Sequence, residues 1–278
     1  MFGRGVEIKT PDQVAVMRSA GLVVAECLAR VRAAVAPGVT TAELDAIARA
    51  CIAEHGATSN FLGYGATDLA GTGGFPGVIC TSVNDEVVHG IPGDRALREG
   101  DVISIDCGAV VDGWHGDAAV TVAVGTVAPE VAELASVTEA ALWEGIAAAQ
   151  PGGRLGDVGH AVQACVRAHG DYGIVDAFTG HGIGTAMHQE PDVPNTGRRG
   201  RGLRLSPGLV IAIEPMLTLG SPSVRILADD WTAVSADGSW AAHVEHSVAV
   251  TPEGPWVLTD ADGGRARLAA AGVPCGAR

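Results

Sequence analysis

The spacing of apolar positions predicts a pair of helices followed by strands, and then the same order a second time. The predicted helices cover residues 10–36, 40–56, 129–150 and 151–170. Short strands rich in Val and Ile follow each pair, as far as residue 124 in the first case and over 174–250 in the second. Two such units in one chain indicate an α+β fold with helices packed on a sheet.

The helix boundaries carry local chemical signals. Thr10 is a favourable N-cap, a proline follows at the first helical position, and Gln13 completes a capping box. The second helix opens at Thr40, and Gly56 after its end suits a left-handed cap. The Gly-rich residues 60–77 are therefore predicted to form a loop before the first strands.

The repeat extends to individual residues. The ten residues that end at Asp106 align with the ten that end at Glu214, a shift of 108 that also matches a glycine in each segment. A second match, at a shift of 114, links the segments that begin at Pro37 and Pro151. With only two copies, this repetition predicts two pseudo-symmetric halves with a site at their join, and not a solenoid.

The length of 278 residues fits one large domain built from these halves, and a hydrophobic content of 47% allows a sizeable core. We expect a single domain over residues 1–260, with halves at about 10–125 and 126–255. Residues 261–278 are rich in Ala, Gly and Arg and are predicted to form a flexible tail.

The formal net charge of −14 argues against a nucleic-acid-binding surface, which is normally basic. One Gly-rich stretch is an exception, with arginines at Arg198, Arg199, Arg201 and Arg204. We interpret it as a solvated loop, and the alternative is a transient contact with RNA or the ribosome. Specific recognition of nucleic acid is not expected.

Cysteine usage and hydropathy bear on the compartment. The six cysteines are scattered without a Cys-x-x-Cys pair, which is typical of reduced thiols in the cytosol. No run of residues reaches the ~18 apolar positions of a membrane span, and the N-terminus lacks the apolar core of a signal peptide. We therefore expect a cytoplasmic monomer without a membrane partner.

The first two acids of the repeat are predicted to converge. Asp112 and Gly113 form a strong two-residue hairpin turn, and this register places Asp117 opposite Gly108. Asp117 then lies diagonally from Asp106 on the same face, because side chains alternate with period two. Two carboxylates held this close repel each other unless a cation lies between them.

Four acids and one histidine recur in matching order along the two halves: Asp106, Asp117, His181, Glu214 and Glu245. Four negative charges balance two divalent cations, and the imidazole adds a neutral nitrogen ligand. Oxygen-rich ligation with one imidazole suits catalytic Mn, Fe, Co or Zn. The alternative for each acid alone is a strand-end carboxylate capped by backbone amides.

Two further histidines are predicted to line the same cavity. His89 matches His181 in the repeat, and His188 follows His181 across a Gly-x-Gly turn. The remaining histidines are interpreted as structural: His55, His115, His160, His169, His243 and His246.

Five ordered motifs carry a family resemblance: VVHGIP at 87–92, SIDCGAVVDGWHGDAAVT at 104–121, GHGIGTAMHQEP at 180–191, IEPM at 213–216 and VEHSVAV at 244–250. Together they resemble the methionine aminopeptidases, over roughly residues 6–251. The fold of that family is the pita-bread fold, an α+β fold of two pseudo-symmetric halves around a central antiparallel sheet. The short segment between Pro191 and Leu209 is similar to the type I enzymes.

The resemblance implies a metallo-exopeptidase, a hydrolase that removes the N-terminal methionine of nascent proteins when the second residue is small and uncharged. It implies that the five residues above bind two divalent cations (Co, Mn, Fe or Zn), which lower the pKa of water. By the same resemblance Glu214 carries a proton, His89 contacts the substrate amine, and His188 donates to the scissile carbonyl.

The resemblance also implies an apolar, sulfur-tolerant methionine pocket. Its matching residues are Tyr64, Phe75, Cys80 and Trp231, with Met216 near. Two departures from the family pattern bear on its shape. Residues 65–74 resemble an insertion between two pocket residues, and Met187 stands where an aromatic residue usually precedes the second histidine.

Three rival functions fit parts of this pattern. Proline-specific peptidases of the same fold share the five ligands but typically carry an additional N-terminal domain. A non-catalytic peptide-binding module of this fold usually loses metal ligands, whereas all five are present. A two-metal phosphoesterase fits the carboxylates but not the apolar pocket.

Overall fold

A computed structural model describes residues 5–67 and 73–276 of the chain. Its helices are α1 (Pro11–Ala34), α2 (Thr41–Glu54), α3 (Pro129–Ala148), α4 (Leu155–His169) and α5 (Arg265–Ala270). The strands of the first half are β1 (Thr58–Ser59), β2 (Ile79–Val83), β3 (Glu86–Val88), β4 (Val102–Val111) and β5 (Trp114–Ala123). Those that follow α4 are β6 (Gly173–Ile174), β7 (Gly180–Gly182), β8 (Gln189–Val193), β9 (Val210–Ile213), β10 (Met216–Thr218), β11 (Val224–Ile226), β12 (Ala233–Ser235), β13 (Ala241–His243), β14 (Glu245–Thr251) and β15 (Gly254–Val257).

A nine-stranded antiparallel sheet forms the centre of the molecule. Its main path runs β1-β4-β5-β14-β9-β7-β8, with β2 paired to β4 and β15 paired to β14. The two halves meet where β5 pairs with β14, with Glu245 opposite Ala119. Helices α1 and α2 pack with the strands of the first half around one core cluster, and α3 and α4 contribute to the clusters of the second. The predicted α+β layout is confirmed.

The helix signals in the sequence act as predicted. The Thr10 and Thr40 hydroxyls each accept a hydrogen bond from the backbone three residues later, and both capping boxes form. Gly56 follows α2 in the left-handed region with φ of 64°. Helix α1 ends at Ala34, two residues before the predicted boundary.

The repeat is visible in the backbone as well as in the sequence. Gly100 and Gly208, matched at the shift of 108, both have φ of +90°. The amide of Gly38 donates to the Leu97 carbonyl at 2.7 Å, and the amide of Gly152 donates to the Leu205 carbonyl at the same distance. In each half, an equivalent hydrogen bond therefore links the turn before the second helix to the segment that leads into a central strand.

The hairpin that presents the first two acids has the predicted register. Val111 pairs with Trp114, and Gly108 pairs with Asp117. Asp112 and Gly113 have φ of 49° and 79°, the positive values that a type I′ turn requires at both central residues.

The C-terminal segment differs from the predicted tail. Strand β15 pairs with β14, and α5 follows it. Leu268 of α5 is 1% exposed and belongs to the core cluster of the second half. The Arg18 guanidinium of α1 donates to the carbonyls of Asp260 and Ala261, which ties the start of this segment to the first helix. The Ala-rich composition misled the prediction, because a single buried leucine and backbone bonding suffice to dock a short helix. In the described part of the chain, no helix has both the length and the apolar character needed to span a membrane.

Candidate metal centre and substrate cavity

One cavity of about 480 Å³ collects the predicted site residues. All five predicted ligands line it, together with His89, His188 and the predicted pocket residues Tyr64, Phe75, Cys80 and Trp231. Sequence positions that lie up to 181 residues apart, from 64 to 245, therefore face one space.

Two groups of three side chains within this cavity have the spacing of metal ligands. Asp117 of β5, His181 of β7 and Glu245 of β14 offer ligand atoms that all lie within 4.8 Å of one another. Glu214, directly after β9, forms a second such group with His243 and Glu245. Glu245 belongs to both groups, as a carboxylate that bridges two cations would.

Asp106 lies where the hairpin register predicts. It pairs with Ala119 on β5, one diagonal step from Asp117, and the two carboxyl groups interact directly. It lines the cavity but belongs to neither group of three.

The electrostatics of the centre are those of acids held away from water. Burial raises the pKa of Glu214 to about 8. Burial, with repulsion from Glu214, raises the pKa of Asp106 to about 7. The pKa values of Asp117 and Glu245 are raised well above their ordinary values by burial and by the neighbouring carboxylates. A divalent cation among these groups would favour their ionised forms and reverse the shift.

Several polar atoms around the centre lack a protein partner. Among the described residues, no hydrogen bond reaches Asp106 Oδ1, Asp117 Oδ1, Glu245 Oε1 or His243 Nε2. A buried polar atom without a partner is costly, and four of them facing one cavity indicate a ligand that satisfies them together. Carboxylate oxygens with imidazole nitrogens fit a divalent transition metal.

The imidazoles are held in defined orientations. His181 Nδ1 lies 3.0 Å from the Gly182 carbonyl oxygen and must donate to it, which leaves Nε2 free to act as a ligand, 3.5 Å from Glu214 Oε1. The His188 ring meets the His181 ring edge-on at 4.3 Å between centroids. The Tyr64 hydroxyl lies 2.6 Å from His188 Nδ1. Burial lowers the pKa of His181 to about 3, which keeps its ring neutral as a metal ligand requires.

The apolar wall of the cavity is a cluster of aromatic and sulfur-containing side chains. Phe75 meets Trp231 at 5.4 Å between ring centroids and Phe61 at 6.4 Å, both edge-on. Cys80 and Met187 belong to the same cluster. Met187 therefore does contribute to the pocket, whereas Met216 is fully buried in a different cluster, beside Val88.

The inserted loop does not separate the pocket residues on either side of it. The Phe75 amide donates to the Tyr64 carbonyl at 2.9 Å, and the Gly63 amide donates to the Phe75 carbonyl at 2.8 Å. These two bonds close the base of the loop, whose residues 68–72 lie outside the described part of the chain. Tyr64 is 41% exposed, so its ring stands at the rim of the cavity.

Comparison with known proteins assigns the chain that forms this site to a family. A model described as "Metallopeptidase family M24" matches residues 15–252. The chain belongs to metallopeptidase family M24. Methionine aminopeptidase 1 of Mycobacterium tuberculosis is 49% identical to this M24 chain over 262 residues, which cover 92% of the chain and 96% of that protein.

Solved structures agree with the family assignment. Methionine aminopeptidase from Thermotoga maritima matches with a TM-score of 0.87 at 39% identity, over 92% of this chain and 99% of that one. A prolidase from Pyrococcus furiosus matches with a TM-score of 0.71 at 20% identity, over 91% of this chain and 65% of that one, and shares the fold alone. The predicted resemblance and the predicted pita-bread fold are confirmed. M24 membership and the two donor groups together indicate that the centre binds divalent metal.

Several residues that line the cavity of this M24 chain were not predicted from the sequence, among them Phe61, Phe178 and His243. The two phenylalanines lie on loops, where no strand register predicts the direction of a side chain. His243 could have been found, because it stands two residues before Glu245 and period-two alternation places both on one face.

Proposed function

We propose that this M24 chain is an aminopeptidase that removes the N-terminal methionine of peptides and nascent proteins when the second residue is small and uncharged. The observation that carries the proposal is the position of the carboxylate and imidazole donors in one cavity with an apolar aromatic wall. The names of its similar relatives, methionine aminopeptidases at up to 49% identity over almost the whole chain, support it.

The metal centre would be held by Asp106, Asp117, His181, Glu214 and Glu245, as two divalent cations drawn from Co, Mn, Fe or Zn. The two donor groups that share Glu245 support a pair of positions. When bound, such ions supply a nucleophile by lowering the pKa of water to near neutrality.

Three side chains would handle the substrate. Glu214 would carry a proton, and its burial beside the imidazole nitrogen of His181 supports this role. His188 would donate to the scissile carbonyl as negative charge develops on its oxygen. His89 lines the same cavity with its ring edge-on to Phe178, and it would contact the substrate amine.

The wall of the cavity would select methionine. Thioether sulfur packs favourably at the edges of aromatic rings, with about 0.3–1.5 kcal/mol for each contact. Phe61, Phe75 and Trp231 present such edges, and Tyr64 at the rim would cover the bound side chain. The rival within the same fold is a proline-specific peptidase, and the proline that defines its substrates offers no thioether to these rings.

A peptide assay separates these activities. The purified protein is freed of metal with a chelator, supplied in turn with Mn, Co, Fe and Zn, and given Met-Ala-Ser or Ala-Pro-Ala. We expect release of methionine from the first peptide with at least Mn or Co, and no cleavage of the second. Full activity after chelation would overturn the metal assignment. Preferential cleavage of Ala-Pro-Ala would instead assign the proline-specific activity.

The proposal extends to the cellular setting. The substrate would be the N-terminal methionine of chains leaving the ribosome, met in the cytoplasm by a monomer. Arg198, Arg199, Arg201 and Arg204 are all exposed and are the candidate for a transient ribosome contact. Co-sedimentation with ribosomes at low and moderate salt would test the contact, with a variant in which all four are replaced by serine as the control.

A further inference from the structure

His243 is a buried imidazole with an unused nitrogen in the wall of the metal centre. Its side chain is 2% exposed, it lines the cavity, and Nε2 has no hydrogen-bond partner among the described residues. Its backbone is fixed on both sides. The His243 amide donates to the hydroxyls of Ser104 and Thr121 at 3.1 Å, and its carbonyl accepts from Thr121 at 2.7 Å. The backbone at His243 is therefore held in place by the central sheet.

The distances around His243 suit a shared cation better than a direct hydrogen bond. Nε2 lies 3.6 Å from Glu214 Oε2, beyond the roughly 2.7–3.2 Å of an N–H···O bond. Two ligands that each stand about 2.0–2.2 Å from one metal ion lie roughly 3.0–3.5 Å from each other in octahedral or tetrahedral geometry. His181 Nε2 has nearly the same spacing, 3.5 Å, from the other oxygen of Glu214. Glu214 thus has one imidazole nitrogen at each oxygen.

We propose that His243 is a sixth protein ligand of this centre, which binds a cation through Nε2 together with Glu214 and Glu245. His181 supplies the other imidazole, in the group with Asp117 and Glu245. The centre then has two imidazole ligands, in addition to the four carboxylates that the sequence predicts. The inference rests on the proposed function only in requiring that the centre binds divalent metal.

A second imidazole changes which metals the centre prefers. Imidazole suits Zn and Fe, carboxylate and carbonyl oxygens suit Mn, and sites with nitrogen ligands bind Co more tightly than Mn. Replacing His243 with Gln keeps a polar side chain of similar length but removes the imidazole. We expect H243Q to weaken binding of the second Co or Zn ion by more than the roughly 10–100-fold that loss of an outer partner costs. Binding of Mn should change less.

Proton NMR of the cobalt-loaded protein tests the ligand directly. An imidazole bound to Co(II) gives a strongly shifted ring N–H signal that is present in H₂O and absent in D₂O. We expect two such signals in the wild type with two Co ions, one in H243Q, and two in the matched control H115Q. His115 is also partly buried with an unpartnered Nδ1, but it lies outside the cavity lining. Two signals in H243Q, or one in the wild type with two Co ions bound, would overturn the proposal.

A measurement on the wild type keeps the test independent of variant folding. With histidines labelled with ¹⁵N, addition of Zn should move the ring nitrogens of two of the nine histidines, His181 and His243, into the range of bound imidazole. Movement of only one would overturn the sixth-ligand assignment while leaving the metal centre in place. Absence of any metal binding would instead contradict the proposed function, and methionine release without a His243 signal would contradict only the inference made here.

Discussion

The two halves of the molecule share a backbone frame but supply different chemistry to the site. The matched glycines Gly100 and Gly208 have the same φ of +90°, and both halves present acids from paired central strands. The first half contributes two aspartates and most of the aromatic wall, whereas the second contributes two glutamates and three of the four cavity imidazoles. The repeated backbone conformation therefore fixes where side chains enter the cavity. The residue type at each position decides whether that side chain offers a carboxylate, an imidazole or an apolar surface.

The connection between the paired strands also differs. In the first half β4 and β5 are joined by a two-residue turn and pair along ten positions. In the second half, β9 and β14 pair along four positions and enclose β10 to β13 between them. That longer excursion brings in His243 and Trp231, which have no counterparts in the first half. The extra nitrogen donor and part of the pocket therefore lie on the longer connection of the second half.

The largest expected effect is loss of metal binding, which we compare after removing one predicted ligand from each half. Glu245→Ala should abolish binding of both cations and the activity with it, because Glu245 belongs to both donor groups. Asp106→Ala leaves both groups of three donors complete, so it should weaken metal binding without abolishing it. In Glu245→Ala the affinity for both ions should fall by more than about 10²-fold.

Metal analysis of the purified variants decides the comparison, and Asp94→Ala, which removes an exposed acid, serves as the control. Wild-type stoichiometry in Glu245→Ala would show that this acid is structural. Complete metal loss in Asp106→Ala would show that metal binding depends on this acid of the first half as strongly as on Glu245 of the second.

The next effect concerns His188, which belongs to the second half and has no match in the first. His188→Ala should lower kcat by about 10²–10³-fold, the usual cost of losing one donor to developing charge. Metal content should not change, since His181 remains. Steady-state kinetics with Met-Ala-Ser test this, with His169→Ala, on the exposed end of α4, as the control. A rise in KM with kcat preserved would restrict His188 to substrate binding, and metal loss would mean that the roles of His181 and His188 are exchanged.

The metal-free protein should lose stability as the pH rises. The folded pKa values are about 7 for Asp106 and about 8 for Glu214, above the ordinary values of about 3.9 and 4.3. The folded state then binds more protons than the unfolded state between about pH 4 and 8, so the free energy of unfolding falls across this window, on the order of a few kcal/mol.

Thermal melts of chelated protein at pH 5, 6, 7 and 8 measure the effect. Added Co should remove it, because the cation favours ionised carboxylates. Asp106→Asn, from the first half, should flatten the part of the curve below about pH 7, and Glu214→Gln should flatten the part that extends to about pH 8. A chelated protein that becomes more stable with rising pH would contradict the repulsive arrangement of these acids.

The smallest expected effect is a loss of stability when a matched glycine of the repeated backbone is replaced. Gly100→Ala places a side chain at φ of +90° with its nearest neighbour atom, the Thr126 carbonyl oxygen, 3.7 Å away. The cost should be the backbone strain alone, about 1–3 kcal/mol. Gly208→Ala has the same φ, but its Cβ would lie 2.4 Å from the Lys9 carbonyl oxygen.

Gly208→Ala should therefore cost clearly more than Gly100→Ala, since a backbone segment must move. Denaturant unfolding of both variants, with metal bound, provides the comparison. Equal losses in the free energy of unfolding would mean that the backbone at Lys9 moves without an energetic cost. The two matched glycine positions would then be equivalent in energy as well as in conformation.

Much of the candidate site could be predicted from local rules. The turn at Asp112 and Gly113 fixed the register of the first hairpin, and the register fixed the shared face of Asp106 and Asp117. Capping signals placed the starts of α1 and α2. Such predictions succeed because each depends on a few residues near in sequence, whose geometry is set by backbone sterics and hydrogen bonding.

Other features depended on contacts between distant segments. Nothing local near Leu268 indicates that it docks into the core of the second half, which made residues 261–278 resemble a tail. The pocket residues Phe61 and Phe178 lie on loops, where side-chain direction follows from what packs against them. His243 was treated as structural, because the sequence does not show that its ring lacks a hydrogen-bond partner.

The sequence by itself determined the helix-and-strand order, the duplication, the acids of the centre and the family they resemble, because these depend on residue type, spacing and period. Only the tertiary structure decided that Glu245 joins two donor groups, that the inserted loop closes between Tyr64 and Phe75, and that Nε2 of His243 has no hydrogen-bond partner among the described residues. These are distances between atoms on separate strands, and they are set by how the sheet twists and packs, which no local pattern in the chain records.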